Sequence, residues 1–376
     1  MITRELTIEF VTPAFLGGAN QAAEWRTPPF KALLRQWWRV WASHRVSPDY
    51  PKVREAEGVV FGDSFLRHRA PRGKPEQVWQ FRSPLRLRLM PWAQGNLQKW
   101  RFSGKVYHPE VQSRKEREER RGRDISADLY LGFGPLQYDP QDRVTKLHCP
   151  PAIAAGARAK LSLGFPAEIE WEDGRRIDLG EGIDTALRLA HLLGTVGGRS
   201  RNGWGSLRIM EEGRDLASLD EIGEVLTPYS RPLEEALGTD WADAVGTDER
   251  GLLAWQVRGG SLEEVIKKLA RVKIAFRTAL DVGREKKGSA HPRHLLGYPV
   301  THHGVRGWNR LASQVRFKVH RQGNGYVGLA VHLPCGLPQR LRSAVRLPRG
   351  QDLHSFELET WKKVHEVLDR EMMRVG

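Results

Sequence analysis

The order of strand-like and helix-like segments predicts an α+β chain of two βαββαβ units with insertions. Three observations carry this prediction. Apolar residues recur with a period near 2 in some segments and near 3.6 in others. Over the first 212 residues these segments follow the order strand, helix, strands, helix, loop, strand. A strand and a helix then begin again after an acidic, turn-rich stretch from Glu211 to Gly251, which sets the units at residues 1–212 and 213–376.

Leu6 to Val11 alternates apolar and polar residues as a half-buried strand does, and Thr12-Pro13 with Gly17-Gly18 marks the turn or irregular loop after it. From Phe30 to Trp41 the period becomes helical. Phe30, Leu33, Leu34, Trp37, Trp38 and Trp41 share one arc, and Lys31, Arg35 and Arg39 form a basic stripe beside it. Pro28 and Pro29 stand where a helix start accepts proline. Pro84 to Met90 is a strand with a leucine face and an arginine face. Ser113 to Arg123 mixes both charge signs densely and reads as a solvated insertion, near residues 100–125. Lys160 to Phe165 and Glu168 to Trp171 are strands. Ile183, Ala186, Leu187, Ala190 and Leu193 trace a second helix, and Leu207 to Met210 a closing strand.

The second unit opens with a strand from Leu252 to Val257. Ser261-Leu262-Glu263-Glu264 is a capping box, and the helix it starts runs to about Leu280. Val315 to Val319 and Tyr326 to Leu333, joined across Gly323-Asn324-Gly325, form a hairpin. Trp361, Val364 and Leu368 mark a last helix. Two units of this order are two ferredoxin-like (RRM-like) domains.

The 376 residues contain 60 Lys+Arg against 45 Asp+Glu, a formal charge of +15 that makes a polyanion the expected partner. The 40% hydrophobic content excludes disorder of the chain as a whole. Cys149 and Cys335 stand alone, so neither a disulfide framework nor a zinc site is implied, and no metal or cofactor is expected. No apolar stretch approaches a membrane span and no signal peptide is evident, so the expected compartment is the cytoplasm, with no membrane partner.

The most informative segment is Gly197-Gly198-Arg199-Ser200-Arg201-Asn202-Gly203-Trp204-Gly205-Ser206. Its glycines allow tight turns and close backbone approach, its arginines suit phosphate, and its tryptophan offers a face to a base. A P-loop would end in Gly-Lys-Ser/Thr, and a dinucleotide fingerprint would leave a strand and open a helix. This loop leaves a helix and enters a strand. It reads as a phosphodiester clamp, with Gly197, Gly198, Arg199, Ser200, Arg201, Gly203 and Trp204 as contacts and Lys31, Arg35 and Arg39 flanking the same groove. Trp204 has a second possible role, anchoring the loop in the core.

Three segments together resemble the RAMP superfamily, the repeat-associated proteins of CRISPR effector complexes, and within it the type III-B (Cmr) branch. Thr12 to Gly18 is similar to the family's opening loop. Glu24 to Arg39, with Arg26, Pro28, Lys31, Leu34, Arg35 and Trp37-Trp38-Arg39, is similar to its first helix, followed by Phe61-Gly62-Asp63-Ser64. Gly197 to Ser206 is similar to its glycine-rich loop. Ala32 departs from an expected glycine and Asn202 from a usual basic residue. The resemblance covers mainly the first ~200 residues. It implies an RNA-binding subunit of an RNA-guided, RNA-targeting complex that acts in antiviral defence. Arg26 joins the expected contacts, and the partners are guide RNA, target RNA and other RAMP subunits of a Cmr-type complex, with the chain near the 3′ part of the guide.

The chain is expected not to be an enzyme. There are no paired carboxylates at helical spacing, no His-Glu-x-x-His and no nucleophile elbow. Tyr298, His302 and His303, or Tyr107-His108, are the candidates for a metal-independent endoribonuclease that processes CRISPR RNA, the second reading. A generic basic RNA-binding scaffold is the third. Asp124 and Asp128 read as ion-pair partners of nearby arginines.

Overall fold

The computed structural model describes residues 1–20, 22–68, 77–112, 122–148, 151–171, 174–282, 287–300, 302–347 and 349–375. The charged run is therefore described only from Gly122 onward, and Cys149 lies outside the described residues.

The first half contributes β1 (Ile2–Phe10), α1 (Thr27–Arg45), α2 (Tyr50–Phe61), β2 (Arg86–Met90) and α3 (Ala127–Gly132). β3 (Arg158–Phe165), α4 (Leu179–Leu193), β4 (Leu207–Glu211) and the short β5 (Arg214–Asp215) complete it. Its sheet has the order β5-β4-β1-β3-β2, and every neighbouring pair is antiparallel. Ile8 lies opposite Ile209 on one side and Ala159 on the other, which puts the even residues of β1 on the helix-covered face. There Leu6, Ile8, Phe10, Leu161 and Leu163 pack with Trp37, Trp38, Ile183 and Leu187 in one buried cluster. Burial of each such side chain contributes about 1.5–3 kcal/mol.

The second half runs β6 (Ala254–Gly259), α5 (Leu262–Thr278), β7 (Val315–Gln322), β8 (Gly325–His332), α6 (Leu353–Glu371) and β9 (Met373–Arg374). Its sheet has the order β7-β8-β6-β9, again antiparallel throughout. When the principal strands of each half are numbered in chain order, both sheets read fourth, first, third, second. Mixed α+β architecture with antiparallel sheets is thus the observed class.

Local chemistry explains the helix starts. The Asp178 side chain accepts from Glu181 N–H at 2.8 Å, so α4 begins a turn earlier than its apolar stripe suggests. Ser261 accepts from Glu264 N–H at 3.2 Å, while the Glu264 carboxylate accepts from Gly260 N–H at 2.9 Å. The reciprocal bond of the expected capping box therefore falls one residue early. The halves share their interior. Val327, Leu329 and Val331 join the cluster beneath α1, and Val11, Phe15 and Trp204 join the one beneath α5 and α6. Among the described residues no helix is long and apolar enough to cross a membrane.

Candidate nucleic-acid interface

The glycine loop leaves α4 at Gly194 and returns to the sheet at β4, and it closes on itself. Val196 N–H donates to Gly205 O at 2.9 Å, Asn202 N–H to Arg199 O at 2.9 Å, and Gly203 N–H to Ser200 O at 3.0 Å. Glycine is required at two positions. Gly205 has φ +67°, and a Cβ there would stand 1.8 Å from Val196 O. Gly197 has φ +101°, and its Cβ would stand 2.6 Å from Phe15 O.

The opening loop is stitched to this turn. Gly198 N–H donates to Phe15 O at 2.7 Å, and Gly205 N–H to Pro13 O at 2.9 Å. Thr12 Oγ1 donates to Gly203 O at 2.8 Å and accepts from Ser206 N–H at 2.9 Å. The second half closes on the other side. Phe317 N–H donates to Arg201 O at 3.0 Å, and Val319 N–H to Ser206 Oγ at 2.9 Å. Lys318 Nζ donates to both Gly194 O and Leu207 O at 2.5 Å. The loop is thus the joint between the halves, and two sequence segments about 190 residues apart form one structural unit.

This placement corrects part of the sequence-derived site. Trp204 is 0% exposed and packs against Phe15, Trp100 and Phe102, with ring centroids 5.9, 5.1 and 5.6 Å away. It anchors the loop, and neither face is open to a base. The amides of Gly198 and Gly203 serve the chain's own carbonyls, because a loop held between two halves must satisfy its backbone internally. They are not free to line a phosphate. Gly197 is exposed and Ser200 half-buried. Arg199 stays exposed, with Nε donating to Phe133 O at 2.5 Å, while Arg201 donates to Ser313 O.

The basic stripe of α1 has another neighbour. Arg35 and Arg39 both pair with the buried carboxylate of Glu57 on α2, with Arg39 Nη2 at 2.6 Å. Desolvation, with Arg35 beside it, pushes the Arg39 guanidinium down to about 10. Desolvation and the Arg35 charge lower Lys31. Arg26, at the N-terminus of α1, donates to Gly17 O and so braces the opening loop.

Sequence reading missed the cations that surround the loop. Lys273 Nζ on α5 donates to Asn202 Oδ1 at 2.6 Å, and Asn202 Nδ2 donates to Leu131 O at 2.7 Å. Desolvation, then the charges of Arg277 and Arg199, push Lys273 down to about 7. Desolvation lowers Arg199 and Arg201, each with Arg310 as a charged neighbour. Arg316 is pushed down to about 9 by desolvation and Arg201, and its buried Nε has no hydrogen-bond partner among the described residues. The charged neighbours of this group are chiefly one another, and none of Arg199, Arg201, Lys273, Arg277, Arg310 and Arg316 forms an ion pair with a described carboxylate. Lys273 and Arg277 are four residues apart on α5, a spacing visible in the sequence. Their convergence on Arg199 was not visible.

The nuclease candidates are placed as follows. Tyr298 Oη accepts from Val305 N–H at 3.0 Å, and His302 is exposed at φ +64°. Asp128 is buried and accepts from Trp100 Nε1 and Ser126 Oγ, both at 2.6 Å, rather than pairing with an arginine. Among the described residues no group of three or more His, Cys, Asp or Glu is arranged to hold a metal ion.

No protein-family model matches the chain, and no curated protein matches it. Among solved structures it is similar to the apo crystal structure of Cmr1 from Pyrococcus furiosus, at 16% identity over 98% of this chain and 97% of that one, with a TM-score of 0.43. It is also similar to a chain of the type III-B Cmr-beta complex bound to cognate target RNA and AMPPnP in the presence of ssDNA, at 10% identity over 98% of each chain and a TM-score of 0.45. A third likeness is to Cmr-beta bound to cognate target RNA, at 10% identity over 96% of this chain and 99% of that one, with a TM-score of 0.41.

Proposed function

We propose that the chain is an RNA-binding, non-catalytic subunit of a type III-B CRISPR effector complex. In this reading it holds guide or target RNA near the 3′ part of the guide, alongside other RAMP subunits, and contributes to antiviral defence. The two sheets of order 4-1-3-2 are read as two ferredoxin-like domains meeting near residues 212/213, with the glycine loop as their joint. The resemblance of the opening loop, first helix and glycine loop to the RAMP superfamily supplies the complex. The observation that carries RNA binding is the group of Arg199, Lys273, Arg277 and Arg310, gathered at the loop without an ion-pair partner among the described carboxylates. Like charges so placed repel one another, and a phosphodiester between them relieves that repulsion. The loop acts as the frame that positions these side chains, and its own amides are occupied elsewhere.

The test is binding of a single-stranded guide RNA by the full chain over a range of salt. Each lost phosphate contact lowers the log-log salt slope by about 0.7, so Arg199→Ala with Arg310→Ala lowers it by about 1.4 and weakens all sequences alike. Unchanged affinity and slope in a folded variant would remove the assignment. Lys273 adds a pH signature. A phosphate favours its protonated form, so affinity falls as pH rises through about 7, and Lys273→Arg flattens that dependence.

A further inference from the structure

The open face of the N-terminal sheet carries a second group of unpaired cations, and it is built differently from the loop. Arg86 and Arg88 on β2 and Lys160 on β3 all point away from the helices and are exposed. None of the three has an ion-pair or hydrogen-bond partner among the described residues. The carboxylates on this face are engaged nearby. Glu9 pairs with Arg158 at 2.6 Å, and Glu5 accepts from Ser162 Oγ at 2.8 Å. The register sets Arg88 beside Ser162 and Met90 beside Lys160, so cation and apolar side chains meet at the end of β2.

At that end the chain turns out through Pro91 to Trp92, which is 56% exposed, next to Met90 at 44%. Trp92 is nevertheless fixed, because its Nε1–H donates to Glu24 Oε1 at 2.9 Å. The indole N–H is satisfied and the ring is left free. Arg88, Met90, Trp92, Arg158 and Lys160 line an open depression of about 770 Å³.

We infer that this face is a stacking platform for a single-stranded nucleic acid, separate from the glycine loop. A held aromatic ring beside two unpaired cations, Arg88 and Lys160, with Arg86 further along β2, suits a ligand that alternates π-faces with negative charges. Its apolar part is confined to Met90, Pro91 and Trp92, too small for the fully buried core of a stable protein interface. The backbone also ties the platform to the loop region. Glu24, which holds Trp92, donates its N–H to Leu16 O at 2.8 Å, and Gly198 N–H donates to the adjoining Phe15 O at 2.7 Å. The inference shares only its class of ligand with the proposed function and rests on its own residues.

The experiment uses the full chain and a fluorescein-labelled 20-nucleotide oligouridylate, read by anisotropy over a salt series, with the matching oligodeoxythymidylate in parallel. Trp92→Ala weakens binding of both probes roughly 5-fold or more, and Arg88→Ala with Lys160→Ala lowers the salt slope by about 1.4. With 5-iodouridine in the probe, photocrosslinking attaches it to the peptide containing Trp92. Arg199→Ala with Arg310→Ala is measured beside them. Loss there alone leaves the loop standing and overturns the platform. Loss in the sheet variants alone does the reverse. Sheet variants that bind both probes normally but no longer associate with another polypeptide would also overturn the inference and make the face a protein contact.

Discussion

One face of the N-terminal sheet meets solvent over β2 and β3, whereas both faces of the C-terminal sheet are covered over most of β7 and β8. Along β3 buried and open residues alternate, with Ala159, Leu161, Leu163 and Phe165 inward and Arg158 and Lys160 outward. Along β7 the same alternation of residue types gives no open face. Val315, Phe317 and Val319 are buried on one side, and Lys318 and His320 are buried on the other. The polar pair is inside because the first half lies against it and supplies carbonyls. Lys318 reaches Gly194 O and Leu207 O, and His320 Nε2 lies 2.7 Å from Leu192 O. One strand order can thus present a recognition surface or an internal joint. The deciding factor is whether the polar residues of the second face find partners in another part of the chain.

The joint breaks most severely at Gly205. A methyl group there overlaps Val196 O at 1.8 Å and meets a backbone at φ +67°, so relief requires losing the Val196–Gly205 hydrogen bond. Gly205→Ala is expected to cost about 4 kcal/mol or more in urea unfolding. A loss below about 1 kcal/mol would show that the loop is not the joint. Lys318→Met keeps the volume and removes the donor to two buried carbonyls, at an expected cost of about 2–4 kcal/mol.

Acid tests the covered side by a different route. Burial holds His191 and His365 down at about 4 and lowers His320 and His332 well below the usual histidine range. The unfolded chain takes up these protons near pH 6.5, and the folded chain does not until much lower pH. Stability from this source is full above about pH 6.5 and declines as pH falls toward 4, by up to about 1.4 kcal/mol per pH unit for each histidine. Denaturant midpoints at pH 7.5, 6 and 5 check this. A flat profile would mean that the four rings are hydrated.

Much of this organisation was legible in the sequence, and the gaps have physical causes. Period alone located β1, α1, β3, α4, α5 and the β7–β8 hairpin, since each buries one regular stripe. It did not locate β9, because Met373-Arg374 is too short to show alternation. It also missed α2, whose mixed stripe has Glu57 at its buried centre. Without α2 the cations of α1 look like a free stripe, although Arg35 and Arg39 share one carboxylate. The glycine loop was visible as a motif, but its function as a joint depends on carbonyls at Pro13 and Phe15 and on strand β7, which no local pattern connects to it. Arginine and tryptophan among glycines suggested a clamp. Burial of Trp204 shows that such a composition also suits a core anchor.

The smallest expected effect belongs to the open face, and its smallness is the point. Arg88 and Lys160 are exposed and touch no charged partner among the described residues, so removing them uncovers no buried group and leaves no cavity. Surface changes of this kind usually stay within about 0.5 kcal/mol each. They also relieve some repulsion in a chain of formal charge +15, which favours the folded state slightly. Arg88→Ala with Lys160→Ala is therefore expected to leave the urea midpoint within error of the parent, while Lys318→Met, one cation on the covered sheet, shifts it clearly. Equal losses in the two variants would mean that the N-terminal face is covered like its counterpart, and the contrast between the sheets would fail. Near-zero loss beside a large one fixes the N-terminal face as surface whose cations contribute nothing to folding.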